Sequence, residues 1–466
     1  MTLQRRALLQ SLTAAVFGSA LGCSRDADRG SAQSVALWFS YGGKNREVLE
    51  RMVHRYNQSQ QGIRVLATFQ GDYFEALAKL RTAIVARSAP VMSHVVGEVV
   101  PYLHEAGVLE PLDAYPDAQN LGLVPALAQV GTYTPTEPKP LVALPFNRST
   151  PILYWNGAML ERARLSVPES WDELREAAKA LTVRSNDRVS TWGLECPISW
   201  WFWVALMGQA GGEVMGADGY PLLGEEAGVE ALQLWQRMVH EDKTMRPPPG
   251  RDYNAWQVTN QDFLAGRAAM IYTSTAFLRY LEEHATFPVR AAPLPGFRRR
   301  AVPTGGTFFV MMKSAPDHEK QAAWDFLRWM MQPEQTIEWA TSTGYMPVAS
   351  DAVARLEREG FYQKSPNDRV AMDQLKYAMP WPWAESLFRV QRECVDPRLE
   401  EAVLNRQSVA RNLTAGHAEG ASALSDAKPA EERPKQAPQA PASRPATPVR
   451  RDAAKVGRND PCPCGS

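Results

Sequence analysis

Two short apolar runs with a polar segment between them constrain the fold more than any other stretch. Leu141–Leu144 and Ile152–Trp155 each have the length and composition of a buried strand, whereas the residues between them show no apolar period. This pattern is typical of a strand that leaves one hydrophobic core, crosses exposed ground and enters another. We interpret it as a crossover between two lobes, with Ser149 facing the gap. The alternative is one sheet with a tight turn, because Pro145 and Pro151 also suit turn edges.

The residues before the crossover predict a βαβ unit. Val35–Phe39 and Arg64–Phe69 are typical of strands, and the helix that begins at Asn45 has apolar residues at helical spacing. Val302–Met312, polar and glycine-rich before an apolar run, is a second crossover candidate. We therefore predict an α/β fold of two lobes, joined by crossover strands, with a ligand cleft between them. The expected lobes are 34–145 with 266–305 (lobe one) and 146–262 with 306–412 (lobe two).

Size, charge and motifs exclude several function classes. The 466 residues are enough for two domains or more, and lysine plus arginine equals aspartate plus glutamate at 51 each, so no net charge favours nucleic acid. The seven histidines show no metal-ligand spacing, and no GxSxG, HExxH, P-loop or GxGxxG motif is present. We expect no enzyme activity, no cofactor and no metal. Cys196 and Cys394 are expected to be buried free thiols.

The N-terminal segment predicts export. Arg5 and Arg6 precede the apolar run Ala7–Leu21, which is too short to span a bilayer and resembles a twin-arginine export signal. Ala20–Cys23 resembles a lipoprotein cleavage box. We predict a signal peptide at 1–23, a lipidated Cys23, a polar tether at 24–33, and a location in the periplasm or at the cell surface. The alternative is a plain cleaved signal with an accidental cysteine.

The C-terminal segment 415–466 differs in composition from the rest of the chain. It has no aromatic residue, isoleucine or methionine and is rich in proline and alanine, so we predict disorder. Gly457–Ser466 resembles the start of the zinc tail of the bacterial preprotein translocation motor, but its two cysteines cannot complete a tetrahedral zinc site. A tail-mediated interaction module is an alternative function. It predicts that deleting 415–466 abolishes activity.

Polar and aromatic residues at the breaks between apolar runs are the candidate binding groups, because such loops on rigid scaffolds carry binding sites. Each alone also has a structural explanation, such as a helix cap or a core aromatic ring. They include Gly71–Tyr73, Glu98, Ser149, Trp200–Trp203, Ser274, Gly305–Gly306, Tyr345 and Arg392.

Four ordered motifs carry a family resemblance. With PESWDEL, FLAGRAAM, AAWDFLRWMMQPE and TGYMPV, the chain from about Val35 to Leu404 resembles the family 1 extracellular solute-binding proteins of ABC importers. PFNRSTPILYWN, GDY, TGGTFFV and REGFYQK are most similar to the members that bind sn-glycerol 3-phosphate and glycerophosphodiesters. The resemblance implies a monomer that closes around its ligand and delivers it to the importer's membrane subunits.

The resemblance also implies site residues. Arg392 would bind two phosphate oxygens, the Gly306 amide would face the phosphate, and Glu98 would accept from glycerol hydroxyls at the opposite end. The full implied set is Tyr73, Glu98, Ser149, Trp200, Trp203, Ser274 (with Thr275 as the alternative hydroxyl), Gly306, Tyr345 and Arg392. A sugar- or oligosaccharide-binding protein of the same fold is one alternative function. A surface lipoprotein that acts on phosphodiesters is another.

Overall fold

The structure, a computed structural model, describes residues 32–132, 141–186, 188–216, 221–250 and 252–405. The predicted signal peptide, Cys23, nearly all of the tether and the predicted tail lie outside the described residues. Among the described residues, no helix has both the length and the apolar character needed to cross a bilayer.

A five-stranded sheet, the first sheet, contains the N-terminal βαβ unit. Its strands are β1 (Gln33–Phe39), β2 (Ile63–Phe69), β3 (Met92–Val96), β4 (Ala143–Ser149) and β12 (Gly305–Met311). Their order is β2-β1-β3-β12-β4. β1 pairs in parallel with β2 and β3, whereas β12 runs antiparallel to β3 and β4. The carboxyl ends of β1 to β4 and the amino end of β12 therefore share one edge.

A six-stranded sheet, the second sheet, follows the crossover. Its strands are β5 (Pro151–Asn156), β6 (Val183–Ser185), β7 (Arg188–Glu195), β8 (Met245–Arg246), β9 (Ala268–Ser274) and β10 (Val289–Ala292). Their order is β10-β5-β9-β7-β6, and β8 pairs with β7. A small third sheet joins β11 (Val302–Pro303) to β13 (Ala378–Met379). Both large sheets are mixed rather than mostly parallel.

The predicted crossover between Leu141 and Asn156 is confirmed. β4 belongs to the first sheet and β5 to the second, and Thr150 alone separates them. The single-sheet alternative is therefore wrong. Thr150 is fully buried, and its amide lies 3.4 Å from the hydroxyl of Thr275, so the link between the sheets is held by side chains as well as by the backbone.

Helices cover the sheets. Those of the first half are α1 (Gly43–Ser59), α2 (Tyr73–Val85), α3 (Val100–Glu105), α4 (Pro125–Thr132), α5 (Gly157–Ala163), α6 (Trp171–Leu181), α7 (Trp200–Gln209) and α8 (Glu226–Gln236). Those of the second half are α9 (Asp252–Leu264), α10 (Leu278–His284), α11 (Asp317–Met330), α12 (Pro333–Thr343), α13 (Ser350–Arg358), α14 (Phe361–Lys364), α15 (Pro366–Gln374), α16 (Leu387–Arg389) and α17 (Asp396–Asn405). A π-helical turn, Val390–Val395, joins α16 to α17.

The strand pairing differs from the expected lobe division in one respect. The sequence placed 266–305 in lobe one and 306–412 in lobe two, but β9 and β10 lie in the second sheet and β12 lies in the first. The chain returns to the first sheet only after β10. A polar segment before an apolar strand predicts that the chain passes from one sheet to the other. The same pattern is expected for passage in both directions, so it could not show which sheet contains β12. We propose that the lobe boundaries follow the sheets.

Two thiols were expected to be buried and free. Cys196 and Cys394 are both buried without a disulfide, which confirms that prediction. Burial raises the pKa of the Cys196 thiol well above its usual value, so it stays protonated and packs as a small apolar side chain.

Candidate functional site

A cavity of about 330 Å³ lies where loops of both sheets meet. Its size suits a small-molecule site. It is lined by Ser40, Tyr41, Gly42, Asn45, Phe69, Gly71, Asp72, Tyr73, Phe74, Val96, Glu98, Ser149, Ser199, Trp200, Trp201, Trp256, Ser274, Ala276, Phe277, Gly305, Gly306, Tyr345, Gln391 and Asp396. Many of these residues follow the carboxyl ends of β1 to β4, the edge at which open α/β sheets bind ligands.

Seven of the nine site residues expected from the sequence line this one cavity. They are Tyr73, Glu98, Ser149, Trp200, Ser274, Gly306 and Tyr345. Thr275, the alternative hydroxyl to Ser274, is instead buried and contacts Thr150. The structure therefore brings together side chains that are distant in the sequence, although their contact with a ligand stays a prediction.

The two predicted tyrosines share one hydrogen-bond donor. The side-chain amide of Asn147 lies 3.5 Å from the Tyr73 hydroxyl and 3.4 Å from the Tyr345 hydroxyl. The orientation of this amide is fixed, because its oxygen accepts from the backbone N–H of Thr307 at 2.6 Å and also from the Thr307 hydroxyl. Asn147 is fully buried, so the tyrosine positions are set by the core of the first sheet.

Two glycines at the start of β12 allow close approaches. Gly306 has φ +98°, and a Cβ at this position would lie 1.7 Å from the carbonyl oxygen of Asn147. A Cβ on Gly305 would lie 2.6 Å from the ring of Trp201. A side chain at Gly306 is excluded both by its positive φ and by the Asn147 carbonyl, and a side chain at Gly305 would collide with the Trp201 ring. The glycines therefore bring bare backbone to the cavity, as the sequence predicted for Gly306.

The opposite wall is aromatic and comes from the second sheet. α7 begins at the cavity, and its first amide, on Trp200, donates to the carboxylate of Asp396 at 3.0 Å. The Trp201 indole donates to the Thr304 carbonyl at 3.4 Å, and its ring lies 5.4 Å from that of Trp256. These rings offer flat apolar surfaces beside hydrogen-bonding groups.

Trp203 was expected to line the site, and the structure places it elsewhere. Its ring is completely buried, and its indole N–H donates to the carbonyl of Gly228 in the first turn of α8. Three residues make almost one full helical turn. Trp203 therefore lies one turn further into α7 than Trp200, which is at the helix start. Trp201, which lies within the candidate run Trp200–Trp203 but is not in the set implied by the family resemblance, lines the cavity instead.

Arg392 stands behind the cavity wall and does not line it. Its guanidinium carbon lies 3.8 Å from the centre of the Phe74 ring, and it donates to Asp396 at 3.2 Å. Phe74 and Asp396 both line the cavity, and the Phe388 ring lies 5.9 Å from Phe74. Arg392 therefore joins α2 beside the first sheet to the π-helical turn that leads into α17. The expected direct placement of its guanidinium in the cavity is corrected.

Several lining residues were not selected from the sequence. Tyr41 follows β1 in the run SYGG, a polar and aromatic break of the same kind as the one that led to Tyr73, so this signal was available. Asp396 carries no signal of its own in the sequence. It could have been selected only as the i,i+4 ion-pair partner of Arg392. Trp256 lies in the middle of α9, and nothing in its surroundings marks it as a cavity residue.

The charged side chains that line the cavity are acidic. Asp72, Glu98 and Asp396 line it, and no lysine or arginine does so among the described residues. Burial raises the pKa of Glu98, whereas the nearby Arg148 acts to lower it. Among the described residues, no group of three or more histidine, cysteine or acidic side chains could hold a metal ion.

Comparisons with known proteins give a consistent assignment. The profile of the bacterial extracellular solute-binding proteins matches residues 51–370. The sn-glycerol-3-phosphate-binding periplasmic protein UgpB of Yersinia pseudotuberculosis is 24% identical over 388 residues, which cover 79% of this chain and 86% of that protein.

Solved structures share the fold. UgpB from Mycobacterium tuberculosis in complex with glycerophosphocholine superposes with a TM-score of 0.74 at 22% identity, covering 85% of this chain and 99% of that one. Maltose-bound MalE3 of T. maritima superposes with a TM-score of 0.73 at 20% identity, covering 84% and 99%. At these identities the likeness establishes the two-lobed periplasmic-binding-protein fold alone.

Proposed function

This chain belongs to the family of bacterial extracellular solute-binding proteins, and on that basis we propose that it delivers sn-glycerol 3-phosphate or a glycerophosphodiester to the membrane subunits of an ABC importer. Proteins of this family bind the substrates of ABC importers and are not enzymes. The ligand class is the part of the proposal that requires direct measurement.

One observation carries the ligand class. Seven residues chosen because they resemble a phosphoglycerol site line a single cavity, although they come from separate stretches between Tyr73 and Tyr345. In the proposed pose, the phosphate lies at the bare backbone of Gly306 beside Ser149, where backbone amides and hydroxyls can approach its oxygens. Glu98 accepts from the glycerol hydroxyls.

Ligand binding is proposed to act through lobe closure. Phe74 beside the first sheet contacts Phe388 and Arg392 on the other side of the cavity, so the two sides already meet at its margin. A ligand that contacts both sides stabilises this arrangement relative to an open one, which is a hinge mechanism. The importer's membrane subunits would recognise the closed form. We further propose export by the twin-arginine route, anchoring through lipidated Cys23, and a monomeric state.

A neutral sugar is the second candidate ligand. Three carboxylates line the cavity, and carboxylates accept readily from sugar hydroxyls. The rings of Trp200, Trp201 and Trp256 also suit the flat apolar faces of a sugar. The solved relatives include maltose-bound MalE3, so the fold is compatible with either ligand class.

A direct comparison of ligands tests the proposal. The full exported chain is titrated calorimetrically with sn-glycerol 3-phosphate, glycerophosphocholine, maltose and trehalose, and its melting temperature is followed in parallel. A ligand at a hundredfold its dissociation constant stabilises the folded state by about 2.7 kcal/mol. We expect stabilisation by the two phosphate esters and none by the sugars. The opposite result would assign the site to sugars. Release of choline from glycerophosphocholine would instead support the phosphodiesterase alternative.

A further inference from the structure

Arg148 is a buried cation that forms no ion pair in the described part of the chain, although the charge of Glu98 acts on it. Its side chain is 1% exposed, and no carboxylate of the described chain forms an ion pair with it. Lys320, the other buried cation among the described residues, contacts Glu110 and Asp317 at 3.1 and 2.9 Å. The absence of such a partner at Arg148 is unusual, because burying an uncompensated charge costs several kcal/mol.

The guanidinium of Arg148 is held by three neutral oxygens. It donates to the Thr304 hydroxyl at 2.8 Å, the Gly306 carbonyl at 3.1 Å and the Leu127 carbonyl at 3.2 Å. The Phe308 ring lies below it, 4.4 Å from the guanidinium carbon. These contacts engage three of its five N–H donors but supply no negative charge. They also fix the guanidinium directly behind the segment that carries Gly305 and Gly306.

Arg148 is next to two cavity residues, one along its own strand and one across the sheet. Ser149, the next residue in β4, lines the cavity, and so does Gly306, the register partner of Arg148 in β12. Arg392, the other arginine near the site, is already paired with Asp396 at 3.2 Å. Within the described chain, Arg148 is therefore a buried cation beside this end of the cavity that no ion pair holds.

The ionisable groups that act on Arg148 leave it positively charged. Burial lowers the pKa of Arg148 to about 10, whereas Glu98, Tyr73 and Tyr345 act to raise it. The guanidinium thus stays protonated at neutral pH. Glu98 acts on the guanidinium without forming an ion pair with it, and burial raises the pKa of the Glu98 carboxyl. The guanidinium is therefore a positive charge beside Gly306.

We propose that Arg148 is the specificity-determining charge of this cavity, selecting anionic phosphoesters over neutral ligands through the 304–306 segment without touching the ligand. This inference rests on the proposed function and adds a residue that the family resemblance does not supply. The ligand's phosphate takes the place of the missing carboxylate. Arg148 is a positioning and field-generating residue, so its loss must affect ligands in proportion to their charge.

Arg148→Gln tests the charge dependence. A unit charge beside the cavity is worth on the order of tenfold in affinity at the effective dielectric constant of a protein. We expect Arg148→Gln to lower the affinity for glycerophosphocholine, a phosphodiester with one phosphate charge, by about tenfold. The affinity for glycerol 3-phosphate, which carries close to two charges at pH 8, should fall by roughly the square of that factor. Any binding of maltose should be unchanged. A purely structural role would weaken all ligands equally and overturn the inference.

Arg148→Lys separates charge from hydrogen bonding. Lysine keeps the charge but cannot make the same three bonds, so at pH 7 this variant should retain the preference for phosphate esters. A buried lysine has a lowered pKa, so glycerophosphocholine affinity should fall between pH 7 and pH 9 in this variant and stay constant in the wild type. Calorimetry of both proteins measures this, and it decides the question even if Arg148→Gln does not fold. An affinity that falls equally in both proteins would contradict the proposal.

The outcomes separate this inference from the proposed function. Wild-type protein that binds phosphate esters, with Arg148→Gln and Arg148→Lys showing no charge-dependent loss, would refute the role of Arg148 and leave the proposed function standing. Wild-type protein that binds sugars and no phosphate ester would refute both.

Discussion

The α carbon of Gly306 packs against the backbone of Asn147 so closely that a Cβ would lie 1.7 Å from the Asn147 carbonyl oxygen. This contact brings β12 and β4 together at the cavity, where both strands contribute lining residues. A positive φ at Gly306 adds a second reason for glycine, since other residues pay for that conformation. The contact thus links the architecture of the first sheet to the proposed phosphate position.

Gly306→Ala should disrupt both stability and binding. The new methyl group must push β4 and β12 apart at a strained φ, so we expect a loss of about 3 kcal/mol or more in the free energy of unfolding. Urea unfolding followed by tryptophan fluorescence measures it. Gly107→Ala is the matched control, because Gly107 also has positive φ but has no atom of the described chain within 4 Å of its Cβ. The control should lose only about 1–2 kcal/mol. Equal losses would show that the contact with Asn147 is unimportant.

Asn147→Ala should loosen the tyrosine pair. It removes the donor shared by Tyr73 and Tyr345, and it leaves the Thr307 amide without its acceptor. We expect a stability loss of about 1–3 kcal/mol and roughly tenfold weaker binding of glycerol 3-phosphate. Calorimetry and urea unfolding measure the two effects separately.

Asn57→Ala is the control for this change. Asn57 exchanges two hydrogen bonds with the backbone of Val65, far from the cavity lining. It should lose comparable stability without any change in affinity. If Asn147→Ala behaves in the same way, the tyrosine hydroxyls are not positioned by Asn147 for binding.

The two tryptophans of α7 should respond differently to substitution. Trp201→Ala removes a cavity wall and should weaken ligand binding by roughly tenfold. Trp203→Phe removes a buried indole that donates to Gly228 at 3.2 Å, so it should cost about 1–3 kcal/mol of stability and leave affinity unchanged. Parallel titration and unfolding of both variants measure this. Weaker binding in Trp203→Phe alone would restore the original assignment of Trp203.

Glu195 predicts a pH dependence of stability. This carboxylate at the end of β7 is completely buried, and burial raises its pKa to about 7, although Arg246 at 3.4 Å opposes the shift. A raised pKa means that the folded state favours the protonated form. The resulting stability is complete below the unfolded pKa near 4.5 and is lost as the pH rises through about 7.

Glu195→Gln should remove this loss. Relative to wild type, the variant should gain about 1–3 kcal/mol in unfolding free energy between pH 4.5 and pH 7.5, as measured by urea unfolding at several pH values. Glu47→Gln is the control, because Glu47 is exposed on α1. A constant difference between Glu195→Gln and wild type across this pH range would show that Glu195 does not titrate as its burial predicts.

The sequence was most informative where local patterns coincide with tertiary structure. The break between Leu141 and Asn156 predicted a crossover, and the two strands do lie in different sheets. The expectation that the polar segment between them is exposed was wrong, because Asn147, Arg148 and Thr150 are all buried. Residues that follow the strands, such as Tyr73 and Ser149, were predicted from such breaks, since parallel strands bring their ends to one edge.

The remaining features depend on distances that no local pattern contains. The choice between Trp201 and Trp203 depends on the depth of α7 relative to the cavity. The burial of Arg148 without a carboxylate depends on the packing of β4 against β12, and in the sequence Arg148 is one polar residue among several. The sheet that receives β12 was misassigned because a crossing has the same appearance in both directions.

Arg392 provides the sharpest separation of ligand classes by one substitution. Its guanidinium lies on the Phe74 ring and donates to Asp396, whose carboxylate also accepts from the first amide of α7. Removing it takes away the cation that pairs with the Asp396 carboxylate at the cavity, and also a contact between the two sides of the cavity. We therefore expect Arg392→Ala to weaken binding of glycerol 3-phosphate by tenfold or more. A neutral sugar should be affected much less, since only the contact with Phe74 matters to it.

Two further variants complete this test. Arg392→Lys keeps the charge and should retain most of the phosphate affinity, although lysine cannot stack on the ring as a planar guanidinium does. Arg398→Ala removes an arginine of α17 that pairs with Glu401 and does not line the cavity, so it should leave all affinities unchanged. Calorimetric titration of the three variants with glycerol 3-phosphate and glycerophosphocholine gives the affinity ratios directly, and maltose is titrated in parallel to detect any sugar binding. If Arg392→Ala binds glycerol 3-phosphate as tightly as wild type does, Arg392 supports the cavity wall alone, and the anion preference must come from Arg148.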